Sequence, residues 1–152
     1  LKPEVLAEPF DSISICLSKG LGAPMGSILM GNKEFINEAR RWRKVLGGGM
    51  RQAGIMAAGG LYALKHNTSR LIEDHHNASL VHNALIKRFG SGSASSATNM
   101  VHLSLDDEVY SIFQEYLLSH EIKTSTQRWV FHLDISSSQV ERLIEVIGQF
   151  KS

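Results

Sequence analysis

Residues 12–26 constrain the fold more than any other part of the chain. Ser12-Ile13-Ser14-Ile15-Cys16-Leu17-Ser18 alternates small polar with apolar side chains, which is the period of a strand with one buried face. It runs directly into Lys19-Gly20-Leu21-Gly22-Ala23-Pro24-Met25-Gly26, where the glycines admit backbone angles and close approaches that a β-carbon forbids. The result is one lysine, Lys19, set among small residues at the end of a strand. An amine held there short of water is activated as a nucleophile, as Schiff-base lysines must be. The same residues also fit a plain strand–turn–strand connection with a solvated lysine, and a Lys-Gly pair alone does not separate the two.

The remaining pattern is mixed α/β. Ser27 to Gly31 reads as a second strand, and Asn32 then caps a helix from Lys33 to Leu46 with Phe35, Ile36, Ala39, Trp42 and Leu46 on its apolar face. Gly47-Gly48-Gly49 stops it, and a helix is expected over Met50 to Lys65. The small residues of that helix (Ala53, Gly54, Ala57, Ala58, Gly59, Gly60, Ala63) are expected to let neighbouring helices approach closely, although its glycines weaken it intrinsically. Thr68 is the expected cap of a long helix ending at Phe89. Gly90-Ser91-Gly92-Ser93-Ala94-Ser95-Ser96 then reads as a mobile loop and a break between substructures. Beyond it a βαββα order is expected: strand 100–105, helix 106–119, a short strand near Ile122, strand 128–133 and helix 136–150, the last opened by a Ser136/Gln139 capping box.

Composition narrows the function classes. Sixteen Lys and Arg nearly balance fifteen Asp and Glu in 152 residues, a net charge of +1, so no overall field favours nucleic acid. Arg40-Arg41-Trp42-Arg43-Lys44 is a local exception, but at helical spacing Trp42 joins the apolar stripe while the cations fan over the solvated face. The single cysteine, Cys16, has no disulfide partner, which suits a reducing cytoplasm, and its place in an apolar strand reads as a small core residue. The seven histidines lack ligand spacing: His75 and His76 point about 100° apart on a helix, and no metal site is expected. No apolar run is long enough for a bilayer and no signal-peptide pattern is present, so no membrane partner is expected.

Two arginines are further candidates. Arg51 follows three glycines at the expected helix start, where free N–H groups, the helix dipole and a guanidinium converge on a spot suited to an anion; a surface arginine near a helix start is the plainer alternative. On strand 128–133, Trp129, Phe131 and Leu133 share one face, and Arg128, Val130 and His132 the other. From this pattern alone, Arg128 reads as an arginine at a strand start, facing solvent.

Residues 16–27 are followed by Arg41-Trp42-Arg43-Lys44, by Gly47-Gly48-Gly49-Met50-Arg51-Gln52-Ala53-Gly54 and by Arg128-Trp129-Val130-Phe131-His132-Leu133-Asp134. Together these closely resemble the low-specificity threonine aldolases, over essentially the whole chain. The resemblance implies the aspartate-aminotransferase-like α/β fold (fold type I) and pyridoxal 5'-phosphate as cofactor. It covers only the C-terminal half of such enzymes, and the chain, which opens on Leu1, reads as a piece of a longer polypeptide whose N-terminal half would be its partner. By resemblance, residues 1–89 are the end of the large cofactor-binding domain with its connecting helices, and residues 90–152 the small α/β domain. Lys19 corresponds to the lysine that forms the Schiff base, Arg51 to the arginine for the cofactor phosphate or another active-site anion, and Arg128 to the one that holds the substrate carboxylate. The family pattern differs at Trp129 and Phe131, which bear on packing more than chemistry. The expected reaction is cleavage of L-threonine or L-allo-threonine to glycine and acetaldehyde in a homo-oligomer, dimer or tetramer, with the isolated segment inactive. The alternatives are another pyridoxal-phosphate lyase of the same fold and a non-catalytic assembly segment.

Overall fold

The computed structural model describes residues 2–151. In chain order its elements are α1 (Pro3–Ala7), β1 (Ser12–Cys16), β2 (Ser27–Gly31), α2 (Lys33–Val45), α3 (Gly54–His66), α4 (Leu71–Phe89), β3 (Ala94–Ala97), β4 (Met100–Leu103), α5 (Asp107–Ser119), β5 (Arg128–Val130) and α6 (Ser137–Gln149). They fall into two units, one running to Thr68 and the other starting at Ser69.

In the first unit, β1 pairs antiparallel with β2, from Ser12 opposite Gly31 to Cys16 opposite Ser27. The buried face expected from the alternation is not formed: Ile13 is half-buried and Ile15 exposed. A two-stranded ribbon offers too little surface to cover it. Asn32 does cap α2, its side chain accepting from the Phe35 N–H at 2.8 Å, a contact worth about 1 kcal/mol. The apolar stripe of α2 is only partly covered: Ile36 and Ala39 are half-buried, while Trp42 and Leu46 are 51% and 81% exposed. The next helix starts at Gly54, four residues later than the sequence implies. Gln52 takes a φ of 52°, a left-handed conformation that no α-helix accommodates. Thr68 does not cap α4 either. Its hydroxyl donates back to the Leu64 carbonyl at 2.7 Å, closing α3, and α4 begins after Arg70.

The second unit holds the core. Its sheet has the order β3-β4-β5, antiparallel throughout, with Ala94 opposite Leu103 and Val101 opposite both Ser96 and Trp129. Val81 and Leu85 of α4, Phe113 and Leu117 of α5, Val140 and Ile147 of α6, and Val101 and Trp129 of the sheet pack into one cluster. Phe113 sits at its centre, with the rings of Phe89 and Phe150 each 5.0 Å away and Trp129 at 6.2 Å. Aromatic pairs at such spacings add to the large apolar area each ring buries. Buried Asp74 is held by Arg70 through two contacts, at 2.6 and 3.3 Å, so the charge taken out of water keeps its partner. The Ser136/Gln139 capping box of α6 is complete in both directions, at 2.8 and 3.3 Å.

Three local expectations change here. The segment 90–96 is not all loop: Ala94–Ala97 form the edge strand β3, because backbone pairing to β4 asks nothing of the small Ser and Ala side chains. Ile122 lies in no strand. Glu121 adopts φ 63° and the Ile122 N–H donates to the Leu117 carbonyl at 2.9 Å, so this residue closes α5. The last strand stops at Val130, and a turn in which the Ile135 N–H meets the His132 carbonyl at 2.9 Å leaves Leu133 exposed.

Candidate active site

Lys19 lies in an ordered loop, residues 17–26, between β1 and β2. The Leu17 N–H donates to the Gly26 carbonyl at 2.9 Å and the Ala23 N–H to the Leu17 carbonyl at 2.9 Å, while Gly22 turns the chain back on Lys19 at 2.8 Å. Gly22 and Gly26 have φ of 69° and 107°, values that other residues adopt only with strain. Leu17, Leu21 and Ala23 are buried and anchor the loop. Lys19 itself is exposed, which corrects the expectation of a lysine short of water. The anchoring side chains point inward and leave the lysine outside. Its amine makes no hydrogen bond or ion pair among the described residues.

What the sequence did not point out is how the loop is seated. A β-carbon on Gly59 would come within 2.9 Å of Pro24 Cδ, and one on Gly60 within 2.9 Å of Leu17 Cδ1. The small residues of α3 therefore admit a specific neighbour, the lysine loop. Asn67, just beyond α3, donates from its side-chain amide to the Leu21 carbonyl at 2.7 Å. No motif marks Asn67, because its role depends on a contact across 46 positions.

Cys16 precedes this loop and is half-buried rather than a core residue. Its sulfur lies 3.4 Å from the Ser18 hydroxyl. That hydroxyl and the Ser18 backbone, with smaller contributions from Ser27 and the Lys19 charge, hold the thiol below its usual pKa, against a smaller opposing effect of burial.

Arg51 is in the same unit but not at a helix N-terminus. It sits exposed in the turn before Gly54, so the helix-dipole part of the anion argument does not apply to it. No hydrogen bond or ion pair joins it to Lys19 among the described residues. The side chain of Lys44 lies across the nearby backbone, its Nζ 2.9 Å from where a β-carbon on Gly49 would stand.

Arg128 belongs to the second unit, where it opens β5 opposite His102. Its backbone is fixed on both sides: the Arg128 N–H and carbonyl each meet the Thr126 hydroxyl at 3.2 Å, and Trp129 Nε1 donates to the Thr126 carbonyl at 3.1 Å. Gln127 clamps the end of β4 through two 3.0 Å contacts with the Leu105 backbone. Trp129 and Phe131 are buried, so the unusual aromatics form the floor of the core, and the strand alternation puts Arg128 outside. Arg128 lines an open cleft of about 600 Å³, together with the 121–125 loop, β5 and the start of α6. Among the described residues no three His, Cys, Asp or Glu side chains gather to hold a metal, and no helix is long and apolar enough to cross a membrane.

Comparison with known proteins adds a second line of observation. The family model described as beta-eliminating lyase matches residues 2–108. The chain is 43% identical over 150 residues to the low specificity L-threonine aldolase of Escherichia coli O157:H7, an overlap of 97% of this chain and 44% of that protein. It is 43% identical over 104 residues to low-specificity L-threonine aldolase 1 of Arabidopsis thaliana, covering 67% of this chain and 29% of that one. The chain thus spans less than half the length of these curated relatives. Among solved structures, one assigned to an L-allo-threonine aldolase of Listeria monocytogenes EGD-E superposes with a TM-score of 0.71 at 19% identity, over 96% of this chain and 46% of that one. At that identity the match speaks for the fold, which is that of part of a fold-type-I enzyme.

Proposed function

The chain belongs to the beta-eliminating lyase family, and on that premise we propose that it is the C-terminal segment of a pyridoxal-phosphate-dependent threonine aldolase. The observation that carries this reading is the Lys19 loop. It is a strand-end turn anchored by three buried side chains and seated on α3, with a lysine amine that makes no hydrogen bond or ion pair among the described residues. A free amine on a fixed loop fits a cofactor that is held by condensation with an amine.

In this reading Lys19 would hold pyridoxal 5'-phosphate through its amine, and Arg51 would supply positive charge to its phosphate. When bound, the cofactor would supply an electron sink for the pair released at Cα. Arg128 pairs with the substrate α-carboxylate through its planar fork, which fixes the orientation of the amino acid and so of its Cα–Cβ bond. The substrate is L-threonine or L-allo-threonine, and the products are glycine and acetaldehyde. The N-terminal half of the same enzyme supplies the acceptor for the β-hydroxyl proton and the rest of the cofactor site. Residues 1–89 then complete the large domain with its connecting helices and residues 90–152 form the small domain. The working enzyme is a cytoplasmic homo-oligomer, a placement supported by the lone cysteine and the partly uncovered apolar face of α2.

The test is borohydride reduction of the full-length holoenzyme followed by peptide mapping, with threonine cleavage assayed in parallel. The cofactor adduct is expected on the peptide carrying Lys19, and Lys19→Ala is expected to lower turnover by at least about a thousandfold. Normal turnover in that variant refutes the reading.

A further inference from the structure

The cleft beside Arg128 carries more positive charge than one α-carboxylate needs. Lys123, Arg128 and Arg142 line it, beside the His132 imidazole. Two of these are already engaged. Arg142 donates to the His120 carbonyl at 2.8 Å and lies 3.4 Å from the Glu121 carboxylate, while His132 Nδ1 is 3.5 Å from Asp134. The side chains of Lys123 and Arg128 have no hydrogen-bond or ion-pair partner among the described residues. Glu121, already met by Arg142, is the one carboxylate on the described lining.

Two uncommitted cations on one cleft are complementary to a ligand with two anionic groups. We propose that this cleft accepts a dicarboxylic β-hydroxy-α-amino acid, with Arg128 on the α-carboxylate and Lys123 on a second carboxylate carried by Cβ. The proposal rests on the aldolase reading and names a substrate class for it. The division of labour follows from the side chains. The guanidinium fork fixes the plane of the carboxylate next to the bond that breaks, whereas a point charge on a flexible stem suits the remote carboxylate.

The reaction balances without an oxidant or reductant. The Cα–Cβ bond breaks, the β-hydroxyl loses its proton to a base, and Cβ becomes the aldehyde carbon of an oxo acid. Cα takes up one proton and leaves as glycine. For 3-hydroxyaspartate the second product is glyoxylate.

The experiment compares wild-type full-length holoenzyme with Lys123→Met in two ways. Cleavage of 3-hydroxyaspartate is measured against threonine, and binding of the unreactive succinate against propionate by calorimetry. Lys123→Met is expected to lower kcat/KM for 3-hydroxyaspartate about tenfold through KM, to leave threonine within about twofold, and to abolish the preference for succinate. Equal effects on both substrates, or a wild type that binds succinate no better than propionate, overturn the proposal. A protein that prefers succinate in a Lys123-dependent way yet cleaves neither amino acid retains the two-carboxylate cleft and refutes the aldolase reading instead.

Discussion

Cys16 stands three residues before Lys19, and its environment makes a prediction that needs no cofactor. The Ser18 hydroxyl and amide stabilise the thiolate, so the thiol ionises at lower pH than in an unfolded chain. Because the thiolate is the reactive form, the pH at which iodoacetamide alkylation reaches half its limiting rate is expected to lie below that of the urea-denatured protein. Ser18→Ala is expected to move it up. An unchanged midpoint in that variant argues against the contact. The sequence placed Cys16 in an apolar strand, and local pattern alone could not tell that the strand would have no covering layer. The same limit applied to Lys19: its residue type and position were legible, but its exposure depends on which way Leu17, Leu21 and Ala23 point. Arg51 was misplaced for a different reason, since nothing in the residue types reveals that Gln52 takes a left-handed conformation.

At the level of elements, α3 and the lysine loop form one device. Gly60→Val puts branched carbons where Leu17 Cδ1 already stands, and overpacking of that kind costs about 1–3 kcal/mol. The loop, carrying little core of its own, is the part expected to yield. Cofactor occupancy of the full-length enzyme is expected to fall at least about tenfold while far-UV circular dichroism stays native; unchanged occupancy would show that the loop does not need this seat. The small residues of α3 pointed to a close neighbour, but the neighbour expected was a helix and the one found at Gly59 and Gly60 is the lysine loop. Strongly periodic elements were read well: α2 with its Asn32 cap and α6 with its capping box emerge from contacts three residues apart. The edge strand β3 was missed because its residues are chosen by nothing except their partner β4.

Over the whole molecule, burial is unequal. The cluster around Phe113, Leu85 and Ile147 lies entirely in the second unit, whereas the first buries little beyond Leu17, Leu21, Ala23 and Ala63. A chain of residues 69–152 is therefore expected to unfold cooperatively in urea, and one of residues 2–68 to show no sigmoidal transition. The reverse result would mean that the apolar stripe of α2 finds cover within its own unit. The family's fold class was legible because its motifs are specific; this imbalance was not, since hydrophobic patterning counts apolar residues without saying which of them meet. One contact has a further consequence for mutational tolerance. Because Gly59 and Gly60 act by the atoms they lack, a saturation screen of α3 would find a permissive helix interrupted by two positions where large side chains are harmful. Those two positions would be recorded as catalytic defects, though neither residue has a side chain with which to do chemistry.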